Sequence, residues 1–361
     1  MMRPNGSMLR LARQKMGFHQ KDAAPLLGIE QPLLSRIENG MAQASDQLLL
    51  NAERVYGMPK SFFFLTDTVY GPPVSVHALW RKKAEVTGRE MDSIVAELNI
   101  RAMHLRRLLE GVELRTKADV PSLDLDDYGN ADKIAALVRA HWKVSSGPIK
   151  NLTLLAERAG LIVMQSKMAG ASVSGVTFAV PGLPPIVVLN AEMPSDRRRF
   201  TLAHEIGHLV MHRFPSPTME QEANEFAACL LMPANDIRPA FLGRRVDLSL
   251  LGALKQEWRV AMSSLLMRAA SLGYVTGGQQ QYLFKQFNAL KIRMREPAQY
   301  DFPQEEPTIV PRVFDVHLKA LGYSPEDLSR MLHIFPDGMR TLYCLSIEDD
   351  RRLRPKFTVI T

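Results

Sequence analysis

Apolar positions recur at helical spacing along most of the chain and gather into β-like runs at only three places. Leu9, Leu11 and Ala12 among Arg10, Arg13 and Lys15 predict a helix over Met8–Lys15, broken at Gly17. Further helices follow over Gln20–Leu27, closed by Gly28, over Gln31–Glu38, stopped by Asn39-Gly40, and over Asp46–Tyr56, headed by Ser45 as its cap. Pro32 takes the first-turn position that proline prefers. Ile94, Leu98, Ile100, Met103, Leu105, Leu108 and Leu109 predict one or two helices within residues 86–116, decorated by Arg101, Arg106 and Arg107. Two more helices, Asp132–Trp142 and Ile149–Ala159, lead into β-branched runs at Leu161–Met164, Gly175–Val180 and Ile186–Asn190. The rest reads as helix again: a segment around Thr201–His212, another over 220–232, a pair at Leu248–Trp258 and Ser263–Ser271, a basic one at Phe284–Met294, and one opened by Ser324-Pro-Glu-Asp327. The fold class that follows is mainly α with a small β-sheet (α+β).

The pattern divides the chain into a short-helix bundle (1–68), a helical spacer and linker (69–130), a mixed domain (131–275) and a C-terminal region of unread role (276–361). Ser195 or Asp196 is the expected cap of the helix at 201–212. Gly277-Gly-Gln-Gln-Gln reads as a flexible joint, and Trp80-Arg-Lys-Lys83 as a basic, solvated cluster. Arg197, Arg198 and Arg199 sit where a helix dipole disfavours cations, which hints at a carboxylate partner or an acidic substrate.

Composition narrows the function classes. The chain has 361 residues, enough for two or three domains with cores of their own. No apolar run approaches ~18 residues, so no membrane span is expected, and the first residues lack the apolar segment of a signal peptide. Two cysteines make no disulfide framework; Cys229 and Cys344 read as small core residues of a cytoplasmic protein. A net charge of +7 permits nucleic-acid binding without requiring it.

Chemistry concentrates in His204-Glu205-Ile-Gly-His208. Residues four apart share one helix face, so both histidines can reach one metal ion, while Glu205 is offset to accept a proton from a water the metal polarises. Zn2+ suits this set, and it needs a third protein ligand with one position left open. Glu220 lies one turn before Ala223 and Asn224 on the packed face of the next helix and is the expected third ligand. Asn224 would support a ligand, Glu222 is the alternative, and His212, too far along the helix to share the ion comfortably, reads as packing or as support for the ligands. In the N-terminal bundle, two short helices joined by a Gly-containing turn fit a helix-turn-helix.

These residues carry two resemblances. Arg199-Phe-Thr-Leu-Ala-His-Glu-Ile-Gly-His, followed by Glu220-x-Glu-Ala-Asn-x-Phe-Ala and Leu-Leu-Met-Pro233, resembles the ImmA/IrrE metallopeptidases, over about residues 130–275. That likeness implies bacterial or phage regulators, some of which cleave a repressor protein. Gly17-Phe-x-Gln20 through Ser35-Arg36-Ile-Glu-Asn-Gly40 resembles the Xre-type DNA-binding domain. It implies that Gln20 contacts phosphate while Gln31, Ser35 and Arg36 face the groove of double-stranded DNA, commonly as a homodimer. Pro32 and Leu33 depart from the polar residues usual there. The expected function is a DNA-binding regulator carrying a zinc endopeptidase with a protein substrate. The alternative is a regulator whose peptidase-like domain senses or dimerises without cleaving.

Overall fold

The structure is a computed structural model that describes residues 3–73, 87–114, 116–168, 173–293 and 295–344; Trp80–Lys83 and Met294 lie outside them. Four helices form the N-terminal bundle: α1 (Gly6–Lys15), α2 (Gln20–Leu27), α3 (Gln31–Glu38) and α4 (Asp46–Tyr56). Their ends obey local chemistry. Asn5 and Ser45 accept backbone N–H groups at the starts of α1 and α4. Gly28 and Gly57 close α2 and α4 in the left-handed conformation.

The next helix, α5 (Gly88–Leu109), opens with a capping box of Thr87 and Glu90. It is more than a spacer. Eight consecutive residues, Leu98–Leu105, are buried, because different neighbours cover different faces. Ser93 Oγ donates to the Lys15 carbonyl of α1, and Asn99 bonds the Tyr70 backbone on both its N–H and C=O. Arg101, expected at the surface, is 1 % exposed and pairs with Glu97 at 2.7 Å. Buried charge is tolerated here because the partner is one turn away.

A three-stranded sheet stands at the centre of the chain: β1 (Ile162–Ser166), β2 (Gly175–Phe178) and β3 (Ile186–Asn190) in order β1-β3-β2. β1 runs parallel to β3 from Ile162↔Ile186, and β2 runs antiparallel from Gly175↔Leu189. Ile162, Met164, Val176, Phe178, Ile186 and Val188 join one core with the N-terminal bundle, α5 and the C-terminal helices. Val163, Val187 and Leu189 join a second core with the helices that follow the sheet. Burial on both faces explains why the strands read as apolar runs rather than alternating ones.

That second core holds α6 (Ala131–His141), α7 (Leu152–Arg158), α8 (Ser195–Met211), α9 (Met219–Leu231), α10 (Ala234–Phe241), α11 (Leu248–Trp258), α12 (Met262–Ser271) and α13 (Gly277–Ala289). Arg268 on α12 is buried and donates to the Met232 carbonyl, a structural tie. Among the described residues, α14 (Ile309–Asp315), continued by a π-helical turn over Val316–Ala320, is followed by α15 (Pro325–Leu332) and α16 (Pro336–Tyr343). The C-terminal region is bound across the sheet. Glu305 accepts the first amides of α7, Leu152 and Thr153, at 2.9 Å each, while Glu157 of α7 accepts the Thr308 and Ile309 amides at the start of α14.

Several expectations are corrected. Neither Ser195 nor Asp196 caps α8; Pro194 holds the cap position, and Asp196 turns its Oδ2 to Lys255 at 2.5 Å. Gly277–Gln281 is the first turn of α13 rather than a joint, started by a Thr276–Gln279 capping box, and the helix ends at Ala289. Cys344 is exposed, whereas Cys229 is buried and its thiol is pushed up to about 12, first by desolvation.

Candidate metal centre

The site is made where α8 crosses α9. Leu202, Ala203, Ile206 and Val210 bury one side of α8 completely or nearly so. Gly207 sets the depth of the crossing: a Cβ there would lie 3.0 Å from Phe226 Cδ1 and 3.3 Å from the Ala223 Cα. The two backbones therefore approach closely enough for one-turn side chains to meet. At the start of α8, Arg199 pairs with Glu305 and donates to the Ile149 carbonyl, and Arg197 donates to the Arg293 carbonyl. Asp196 and Glu296 flank the buried Lys255 ammonium. Desolvation alone would lower the pKa of Lys255, but the hydrogen bonds and charges of both carboxylates outweigh it and raise it.

His204, His208 and Glu220 each offer a ligand atom, and these atoms all lie within 4.8 Å of one another. His204 Nε2 stands 3.0 Å from His208 Nε2; Glu220 oxygens stand 3.1 Å from His208 Nε2 and 3.8 Å from His204 Nε2. A tetrahedral ion with bonds of about 2.0–2.1 Å separates its ligand atoms by about 3.3 Å. The spacings fit one small divalent ion, and two imidazoles with one carboxylate suit zinc. Burial dominates and lowers the His204 pKa against the opposing pull of Glu205 and Glu220, which keeps a lone pair available.

The His204 imidazole is anchored directly on α9, and that of His208 on His212 at the end of α8. His204 Nδ1 lies 3.1 Å from Asn224 Oδ1, and His208 Nδ1 lies 3.0 Å from His212 Nδ1. Glu222, the alternative third ligand, is instead 2.9 Å from His212 Nε2. Glu205 is 4 % exposed, and Thr177 Oγ1 of β2 donates to its Oε2 at 2.6 Å. Thr177 was not singled out in the sequence. Gly175 and Thr177 share a strand face, and a Cβ on Gly175 would meet Thr201 Cγ2 of α8 at 2.6 Å, so this close approach brings Thr177 to Glu205.

In the N-terminal bundle, Gln31 and Arg36 are exposed on α3, with Ser35 and Gln20 partly so. Gln31 donates to Gln20 Oε1 at 2.9 Å, and Gln20 donates to Glu38 Oε2 at 2.8 Å. Glu38 is buried and bonds Arg13 twice, at 2.7 and 2.9 Å. The polar side chains at the head of α3 are thus tied into the bundle by one network.

Two family models match. Residues 156–270 match a peptidase-family model described as the IrrE N-terminal-like domain, and residues 9–63 match a helix-turn-helix model. The chain therefore carries a helix-turn-helix domain fused to an ImmA/IrrE-like domain of a peptidase family. No curated protein matches the chain. Among the described residues no helix is long and apolar enough to cross a membrane.

Proposed function

We propose that this chain is a DNA-binding transcription regulator whose second domain is a zinc-dependent endopeptidase acting on a regulatory protein of the repressor kind. The observation that carries the reading is the convergence of His204, His208 and Glu220 on one point, with the buried Glu205 on the same helix. In this reading His204, His208 and Glu220 hold Zn2+, and Asn224 orients His204. The ion, when bound, supplies a Lewis acid that makes water more acidic and polarises a carbonyl.

Glu205 takes one proton from the attacking water as its oxygen bonds the scissile carbonyl carbon. Glu205 then delivers that proton to the amide nitrogen as the C–N bond breaks, leaving a carboxylic acid and an amine. Thr177 holds the Glu205 carboxylate in one orientation during both transfers. Gln31, Ser35 and Arg36 read the DNA, with Gln20 at the backbone, and a homodimer supplies two half-sites. The test is Glu205→Gln: metal and DNA binding persist, and cleavage stops. Persisting cleavage would refute the role of Glu205.

A further inference from the structure

A histidine coordinates a metal through the nitrogen that carries no proton, so the partner of its other nitrogen decides whether it is ready to bind. Asn224 Oδ1 can only accept, so His204 carries its proton on Nδ1 and leaves Nε2 open. The case of His208 is different, because its Nδ1 faces another imidazole nitrogen, His212 Nδ1, at 3.0 Å. Either ring could donate in that contact.

The ambiguity is removed one step further out. Glu222 Oε2, a pure acceptor, lies 2.9 Å from His212 Nε2. The His212 proton therefore sits on Nε2, its Nδ1 accepts, and His208 must donate from Nδ1. That leaves His208 Nε2 as a lone pair, 3.0 Å from His204 Nε2 and 3.1 Å from Glu220 Oε1. The backbone makes the arrangement reachable. α8 stops at Met211, and His212 turns to an extended conformation while its amide still bonds the His208 carbonyl at 3.0 Å.

We infer that His212 and Glu222 form a positioning chain that fixes the tautomer and ring orientation of His208 and so readies the site for its ion. His212 is not itself a ligand. The inference rests on the metal reading above and adds two residues to it. It also accounts for both acidic residues of the first turn of α9: Glu220 faces the ion, and Glu222, two positions on, faces the histidine that supports it.

The experiment uses the full chain and two probes, Zn2+ in competition with a chelator and Co2+ as a spectroscopic substitute. Wild type binds one ion with a four-coordinate Co2+ absorption. His212→Phe keeps the bulk and loses both hydrogen bonds, and it should weaken binding about 10- to 100-fold with the Co2+ band shape unchanged. His212→Asn offers an oxygen close to where Nδ1 stood and should recover most of the loss. Glu222→Ala, at a partly exposed side chain, should weaken binding about tenfold and carries the test if His212→Phe does not fold. Wild-type affinity in Glu222→Ala together with folded His212→Phe overturns the inference. So does a changed Co2+ band in His212→Phe, which would make His212 a ligand. A wild type that binds no ion overturns the metal reading itself, and this inference with it.

Discussion

Removing Glu38 should unfasten the DNA-reading bundle while leaving the metal site intact. Glu38 has a fully buried side chain, and its partner Arg13 is 9 % exposed. The carboxylate also accepts from Gln20 and stands 3.8 Å from Arg10. Glu38→Ala would leave the Arg13 guanidinium buried without its counter-charge, a change that costs about 3–5 kcal/mol. A bundle of some 60 residues has about 3–9 kcal/mol in total. The substitution therefore takes it from stable to marginal.

Amide hydrogen exchange reads this directly. Because each 1.4 kcal/mol is tenfold, amides in the middle of α1 and α3 should exchange about 100- to 4,000-fold faster, whereas those of α9, in the second core, should not change. The double change Arg13→Met with Glu38→Leu removes both charges and should restore most of the protection. Exchange in α1 and α3 within tenfold of wild type for Glu38→Ala alone would refute the argument that this pair ties the bundle together.

Other consequences follow from the same physics. Zinc at 100 times its dissociation constant should stabilise the protein by about 2.7 kcal/mol. At ~2.1 cal/mol/K per residue over 361 residues, that raises the melting temperature by about 4 °C, and Glu220→Ala should lose most of the rise in a thermal scan. Thr177→Val should lower kcat by about 10- to 150-fold with KM little changed, because a hydrogen bond to a carboxylate is worth about 1.5–3 kcal/mol, and Thr177→Ser should recover it. His104 is fully buried against Tyr343, and desolvation brings its pKa down to about 3. The unfolded chain thus binds a proton that the folded chain refuses. Stability is complete above about pH 6.5 and falls by about 1.4 kcal/mol per unit on the way down to about pH 3, and His104→Leu should remove that component from chemical-denaturation curves.

What the sequence could reveal follows from where each feature is decided. The ends of α2, α3 and α4 were legible because Gly28, Asn39-Gly40, Ser45 and Pro32 act locally. The capping box at Thr276 and Gln279 was equally local, but the two glycines inside it suggested a joint. The burial of Arg101 was not legible, since it depends on Met164 of β1 and Tyr343 of the last helix both reaching that one side chain. That His204 and His208 share one helix face, and that Glu220 lies on the packed face of the next helix, could be read from helical periodicity. The contact of Thr177 with Glu205 could not, because strand and helix meet only through the tertiary approach that Gly175 allows. The carboxylate partner of Arg199 was foreseen in kind, but Glu305 lies over a hundred residues away.

The most direct test of a zinc endopeptidase is a census of new protein N-termini in cells expressing wild type or Glu205→Gln, with and without stress. The account predicts at least one cleavage site that appears with the wild type alone and names the substrate. Identical N-termini for the two proteins under every condition would contradict it, leaving a regulator whose metal site does not cleave.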